Sequence, residues 1–375
     1  MTAATRWSPA HIDAIAARPY PTAPLIAAAD VVPVADGIGV WDAWPVQTLD
    51  GAIHRTGDGT ELWLALATPR FDDPNDRHDH ARIHLFRRSE GAWQHVGPAM
   101  PDGFSPGSRE WSGSAVIDAA ERDVTLYFTA TGRRGDAELS FEQRLFAAEA
   151  SLTDEAGAPV LTDWRNLREV VERDPAFYMP TDAGFDQIGK IKGFRDPAFF
   201  RDPADGARYL LFTASDADAR SDHNGVIGIA RAVGAEWQIL PPIVTANGLN
   251  NELERPHVIH HGGLYYLFWV TQRHVFDPAG PTGPTGLYGM VSDSMFGDWQ
   301  PINGSGLVLA NPEEAPAQAY SWFVFPDLSV TSFVDDWGTG DTRRFGGTFA
   351  PFLHLHLDGS RASLRECASV KGSGE

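Results

Sequence analysis

Five stretches of the chain share one hydrophobic pattern: ELWLALAT (61–68), VTLYFTAT (124–131), RYLLFTAS (208–215), LYYLFWVT (264–271) and LSVTSFVD (328–335). Each is eight residues rich in aromatic and β-branched side chains, which predicts an interior strand packed on both faces. A second signal falls between them. Trp–Gln pairs occur in AWQHV (Trp93), EWQIL (Trp237) and DWQPI (Trp299), where a turn meets an outer strand. Degenerate units of a few strands each, with variable insertions, predict propeller blades, and five interior strands predict five of them. A β-sandwich with long loops is the competing architecture.

Ahead of the strands, Ser8 as N-cap and Pro9 at the first helical position predict a short helix through His11 to Ala17. Pro19, Pro21, Pro24 and Pro33 then keep the chain extended. Residues 1–36 are therefore read as an N-terminal extension, and 37–375 as one domain, because no Gly/Ser linker divides it. Two stretches are read as lying outside the core. FDDPNDRHDHAR (71–82) is a polar loop leading into a strand with Ile83, Leu85 and Phe86; residues 133–187, with FEQRLFAAEA and LREVVER, predict a long excursion with one or two helical turns.

Composition narrows the class. Of 375 residues, 37 are Gly and 27 Pro, which suits short strands joined by tight turns, and 43% are hydrophobic, enough for a large core. The formal charge of -20 repels phosphate backbones, so nucleic acid is not an expected partner. A lone cysteine, Cys367, excludes an intramolecular disulfide framework and a cysteine-based zinc cluster. No cationic and apolar leader opens the chain and no run approaches 18 apolar residues, so no membrane partner is expected. The expected location is cytoplasmic, or outside the cell by a non-classical route.

Phosphate loops, GxGxxG after a strand, HExxH and CxxC are all missing from the sequence. What remains is carboxylates among aromatics. VWDAWP sets Asp42 between Trp41 and Trp44, where its charge is expensive to desolvate unless used or satisfied. In GFRDPAFF, Arg195 and Asp196 are adjacent, and in an extended chain they point to opposite faces. In NELERPHV, Glu252 and Glu254 share one face of a strand while Arg255 points away; mutual repulsion raises the pKa of one glutamate. REWSGSAV offers Arg109, Glu110, Trp111 and Ser112, and QAYSWF offers Gln318, Tyr320 and Trp322. Taken singly, each string also fits a turn, a surface ion pair or core aromatics. They converge only if inner strands surround a funnel, and separated carboxylates there point to glycosidic transfer by a retaining route.

In order along the chain, VWDAWP, EWSGSA, FRDP, ELERPHV, NGSGLVL (303–309) and QAYS resemble the levansucrases and related bacterial fructosyltransferases, glycoside hydrolase family 68, over roughly residues 37 to 365. The likeness is to the short proteobacterial type. The resemblance implies an all-β fold, a five-bladed β-propeller with a central funnel-shaped active site. It implies Asp42 as nucleophile toward the fructosyl unit of sucrose, Glu254 as acid/base and Asp196 as transition-state stabiliser. Trp41, Trp111 and Ser112 correspond to neighbours of the fructosyl subsite. Arg195, Glu252 and Tyr320 correspond to glucosyl-side contacts or braces for the acids.

Two departures stand out. Calcium-binding members carry Asp where this chain has Asn251, and losing a charged ligand argues against a family-type calcium site, so no cofactor or metal is expected. In FWVTQRHVF, relatives have a shorter segment with one Arg or His toward the acceptor; here Arg273 and His274 compete for that role. The expected reaction is that of a levansucrase (sucrose 6-fructosyltransferase) with hydrolysis as a side activity. Sucrose and fructan or oligosaccharide acceptors are the expected partners, and the chain is expected as a monomer or weak homo-oligomer. The rivals are a sucrose hydrolase, an inulin-forming transferase and a non-catalytic carbohydrate-binding propeller.

Overall fold

The inner edges of five antiparallel sheets form a ring, and the strings VWDAWP, EWSGSA, FRDP, ELERPHV and QAYS each lie on or at the start of one of those edges, whereas NGSGLVL pairs outward along the third strand of blade four. A computed structural model describes residues 4–17, 19–182, 191–219, 221–338 and 343–365. The inner strands of the five blades are Ile38–Gln47, Arg109–Ile117, Phe194–Arg201, Glu254–His261 and Ala319–Val324. The five hydrophobic octets fall in the strands next outward: Glu61–Pro69, Asp123–Thr131, Arg208–Ser215, Leu264–Thr271 and Ser329–Trp337. These pair on both edges and pack on both faces, which explains their unbroken apolar character. The expected five-bladed propeller is the observed fold, and Trp93, Trp237 and Trp299 mark outer strands as predicted.

Blades one and two are joined by a short parallel pairing of their inner strands, Val46 with Ala115 and Gln47 with Val116. The seam between blades five and one is closed by side chains instead. Val40, Ala43 and Trp63 pack with Phe323, Phe325 and Phe349, and Arg70 donates to Gly346 O at 2.7 Å.

The N-terminal segment is stitched into the propeller. Thr5–Arg6 adds a parallel strand to the outer edge of blade three, and Trp7 is fully buried edge-on against Trp269 and Tyr288, its indole N–H bonded to Ser305 O at 3.0 Å. The predicted helix is Pro9–Asp13, continued by a 3-10 turn, Ala14–Ala17.

One expectation fails. FEQRLFAAEA and LREVVER do not form helical turns: residues Gln143–Glu155 and Ala158–Val171 are the two outer strands of blade two. Ala, Glu and Arg are good helix formers, but the preference is worth only about 0.7 kcal/mol or less per residue, and pairing along Asp123–Thr131 overrides it. The alanines fit because Ala147 and Ala148 lie opposite Tyr127 and Leu126, where small side chains match large ones. Residues 183–187 of the predicted excursion lie outside the described residues, as does Cys367. Among the described residues, no helix is long and apolar enough to cross a membrane.

Candidate active site

Every inner strand breaks register at the same level of the ring: between Trp41 and Trp44, Trp111 and Gly113, Arg195 and Ala198, Glu254 and His257, and Tyr320 and Phe323. These bulges each insert an extra residue, so neighbouring side chains no longer alternate. Four of them hold a non-glycine residue at positive φ: Asp42 (48°), Asp196 (61°), Arg255 (49°) and Ser321 (61°). In blade two, Gly113 makes room, because a Cβ there would come within 1.9 Å of Tyr127 O.

The consequence is a correction to the face assignments made from the sequence. Arg195 and Asp196 do not diverge; the guanidinium Nε is 3.6 Å from Asp196 Oδ2. Glu252 precedes its strand rather than sharing a face of it with Glu254. Arg255 does not point away. It reaches across the ring, donating to Ala43 O of blade one at 2.8 Å and to the Ser321 hydroxyl and carbonyl of blade five, while its own N–H faces Thr213 Oγ1 at 3.1 Å.

The bulges open onto a cavity of about 540 Å³ whose wall includes Trp41, Asp42, Asp196, Glu252, Glu254 and Tyr320. A smaller lobe of about 260 Å³ shares the carboxylates and adds Trp111 and Arg195. Asp196 is the most fully bonded acid: Ser112 Oγ donates at 2.6 Å and Thr213 Oγ1 at 2.9 Å. Ser112 thus lies behind Asp196 as a brace and does not line the cavity. Arg195 is buried among three carboxylates, 2.7 Å from Glu254 and 3.6 Å from Glu252 and Asp196, and this company holds its pKa above the usual value. Tyr320 donates its hydroxyl to Glu254.

Burial pushes Asp42 up to about 6, opposed mainly by the Arg255 charge, with Ser321 also bonding to it. Asp196 is raised by burial as well. Glu252 is raised to about 8, by burial first and then by the Glu254 charge.

His274 and Gln272 reach the cavity wall and Arg273 does not. The three follow one another into a 3-10 turn, Arg273–Val275, whose successive side chains point a third of a turn apart. Burial lowers the His274 pKa, against the pull of Glu254.

Residues the sequence reading passed over complete the rim. The loop 71–82 folds into Pro74–Asp76 and Arg77–His80, sending Asn75, Arg77 and His78 to the cavity. Arg77 stacks over Phe345 at 4.3 Å and lies 3.9 Å from Asp335, which burial pushes up to about 6. Burial presses His78 down to about 3, so it is neutral. A signal for Arg255 and Ser321 was present: the pairs Trp41–Asp42, Trp111–Ser112, Arg195–Asp196, Glu254–Arg255 and Tyr320–Ser321 stand at one place in five successive inner strands.

A family profile described as Levansucrase/Invertase matches residues 1–225 and 221–374. Levansucrase LscC of Pseudomonas savastanoi pv. glycinea is 34% identical over 392 residues, covering 93% of this chain and 87% of its own. Among solved structures, the inulosucrase from Halalkalicoccus jeotgali bound to kestose superposes with a TM-score of 0.88 at 34% identity, covering 96% of this chain and 95% of its own. The full-length beta-fructofuranosidase from Microbacterium saccharophilum K-1 gives 0.84 at 26% identity, covering 97% and 84%.

The buried acids make stability depend on pH. Asp42, Asp335 and Glu252 bind their protons more tightly folded than unfolded, so their contribution is full below the unfolded values near 4 and is lost as pH rises through about 6 and then about 8. The melting temperature should therefore fall across that window. Asp42→Asn should flatten the lower part and gain about 3 kcal/mol at pH 8, from roughly two units of displacement. Differential scanning calorimetry at several pH values checks this; an Asp42→Asn protein that melts below wild type at pH 8 contradicts it.

Proposed function

The chain belongs to the levansucrase/invertase family, and on that premise we propose that it is a retaining levansucrase working through a fructosyl–Asp42 ester. At the coarser level it is a fructosyltransferase or fructofuranosidase of sucrose-like substrates. The observation that carries the finer reading is the convergence of Asp42, Asp196 and Glu254 on one cavity, each held by a different bulge and each with different partners.

Asp42 attacks the anomeric carbon of the fructosyl unit while Glu254 protonates the departing glucosyl oxygen, so the carbon–oxygen bond breaks and glucose leaves neutral. Arg255 beside Asp42 favours the carboxylate that burial disfavours. Asp196, fixed by Ser112 and Thr213, accepts bonds from fructosyl hydroxyls as positive charge develops on the ring. Glu254 then takes the proton of an acceptor hydroxyl, whose oxygen forms the new bond to the anomeric carbon and frees Asp42. Among the described residues Arg195 Nη1 has no acceptor, and it suits a sugar hydroxyl. Trp41 and Trp111 offer flat apolar walls to the C–H faces of the ring. The β-2,6 linkage is proposed because several relatives at 32–34% identity over nine-tenths of the chain are levansucrases; an inulosucrase matches at the same 34% identity, and the inulin-forming and sucrose-hydrolase readings are the outcomes that would displace it.

Incubation with sucrose, quantifying glucose, free fructose and polymer separately, tests the reading. Glucose in excess of fructose with a β-2,6 polymer is expected; equal amounts from the first time point would make the protein a hydrolase. Asp42→Ala should lose turnover by on the order of 10³-fold or more while remaining folded. A fructosyl adduct trapped on another residue would refute the nucleophile.

The pH profile of kcat/KM follows from two of the raised carboxyls, Asp42 and Glu252. Asp42 attacks only when ionised, so activity should fall as pH drops through about 6; Glu252 is neutral only below about 8, so a basic limb should appear there. Glu252→Gln keeps a neutral side chain and should erase that limb while leaving the acidic one. An unchanged basic limb assigns it to another group.

Acceptor control separates His274 from Arg273. Water stands at about 55 M, so transfer wins only where an acceptor is positioned against the intermediate. His274→Ala should lower the ratio of transferred to free fructose with less effect on glucose release, and Arg273→Ala should leave the ratio near wild type. Equal product ratios in wild type and His274→Ala would place acceptor control elsewhere.

A further inference from the structure

Just before the inner strand of blade three, Lys192 is buried at 2% exposure, where an unpartnered ammonium would be costly. Its Nζ donates to Asn224 Oδ1 and Asn251 Oδ1, each at 2.8 Å, and to the main-chain oxygen of Asp222. Among the described residues, three neutral oxygens face this three-donor ammonium. Asn251 is the position at which the family resemblance of the sequence implies an Asp in calcium-binding members. A divalent ion does not fit here: Nζ already stands among the oxygens, and calcium takes six to eight of them with anionic ligands.

The three oxygens come from separate parts of the chain. Asp222 and Asn224 lie on the connection between the second and third strands of blade three, and Asn251 on the approach to the inner strand of blade four. Lys192 itself is three residues from Arg195. Asn251 also donates to Glu252 Oε1 at 3.3 Å, so the cluster abuts the raised glutamate of the active site. We infer that the Lys192 ammonium is a built-in structural cation, replacing a bound divalent ion, that ties the entries of two inner strands together and positions Arg195 and Glu252. Lys192 touches no substrate in this reading; it is a positioning residue. The inference goes beyond the reaction proposed above, and melting curves test it without any sugar.

The full-length protein is tested by thermal unfolding and by sucrose kinetics. Wild type should show the same melting temperature and kcat with a chelator, with added calcium, or with neither; a loss on chelation that calcium restores would overturn the inference. Lys192→Met keeps the apolar stem and removes the charge. It should melt several degrees lower and lose kcat by on the order of 10-fold, as loss of a supporting contact does. Its basic pH limb should also move upward, because Glu252 loses a neighbouring cation, and lost packing alone would not produce that displacement. Wild-type melting and an unmoved limb in Lys192→Met would refute the proposal. Should that variant fail to fold, Asn251→Asp keeps the lysine and supplies the carboxylate. Calcium should leave its melting unchanged, and a calcium-dependent rise would show that the ammonium leaves room for an ion and would overturn the inference.

Discussion

Arg255 is the contact on which the ring depends. It belongs to blade four, bonds the main chain of blade one and the bulge of blade five, and its own amide sits against Thr213 and Asp196 of blade three. A buried guanidinium with such partners is stabilised only while all of them hold their places, so one residue, through its side chain and its amide, correlates four blades. It is also the principal opposite charge acting on Asp42. The group that closes the propeller is therefore the group that keeps the proposed nucleophile ionisable. Arg195 does the corresponding work one blade back, among Asp196, Glu252 and Glu254.

Positive φ at a non-glycine residue costs about 1–2 kcal/mol, and the inner strands accept it at Asp42, Asp196, Arg255 and Ser321. A regular inner strand would send alternate side chains into the blade interfaces, leaving one functional group per strand at the funnel. The bulge sends two neighbouring side chains inward and re-aims the acids. Strain concentrated at one level of a stiff scaffold is what an active site built from five strands requires. The outward strands, apolar on both faces, supply the stiffness.

Much of this was legible in the sequence, for definite reasons. The octets are visible because the second strand of each blade is covered on both faces, and the motif strings because charge beside tryptophan is rare in strands. What misled was the period of two. Alternation predicts that Arg195 diverges from Asp196 and Arg255 from Glu254, and a bulge, which depends on a partner strand far along the chain, reverses both. The outer hairpin 143–171 was misread because its alanines, glutamates and arginines are good helix formers, and only pairing with Asp123–Thr131, which outweighs that local preference, settles the matter. Arg77 and Asp335 were invisible for a further reason: their roles arise at the seam between blades one and five, where sequence distance is greatest.

The charge arithmetic of the site suits a neutral substrate that becomes a cation. At the bulges, Asp42, Asp196, Glu252 and Glu254 face Arg195 and Arg255, while the other charged groups, Arg77 and Asp335 among them, stand out on the rim. Glu252 retains its proton to about pH 8 because burial and the Glu254 charge both oppose ionisation. In the proposed mechanism, once the leaving oxygen has taken a proton from Glu254, three carboxylates stand against two guanidiniums, and the surplus negative charge matches the one positive charge that would develop on the fructosyl ring. Before that moment the balance is closer to zero, so the neutral sugar is not bound at the expense of the transition state. A fourth ionised carboxyl would stabilise the cation further but would also bring a second unpaired charge into a buried wall. Keeping Glu252 neutral, beside the Lys192 cluster, lets the site carry one surplus charge where the chemistry uses it.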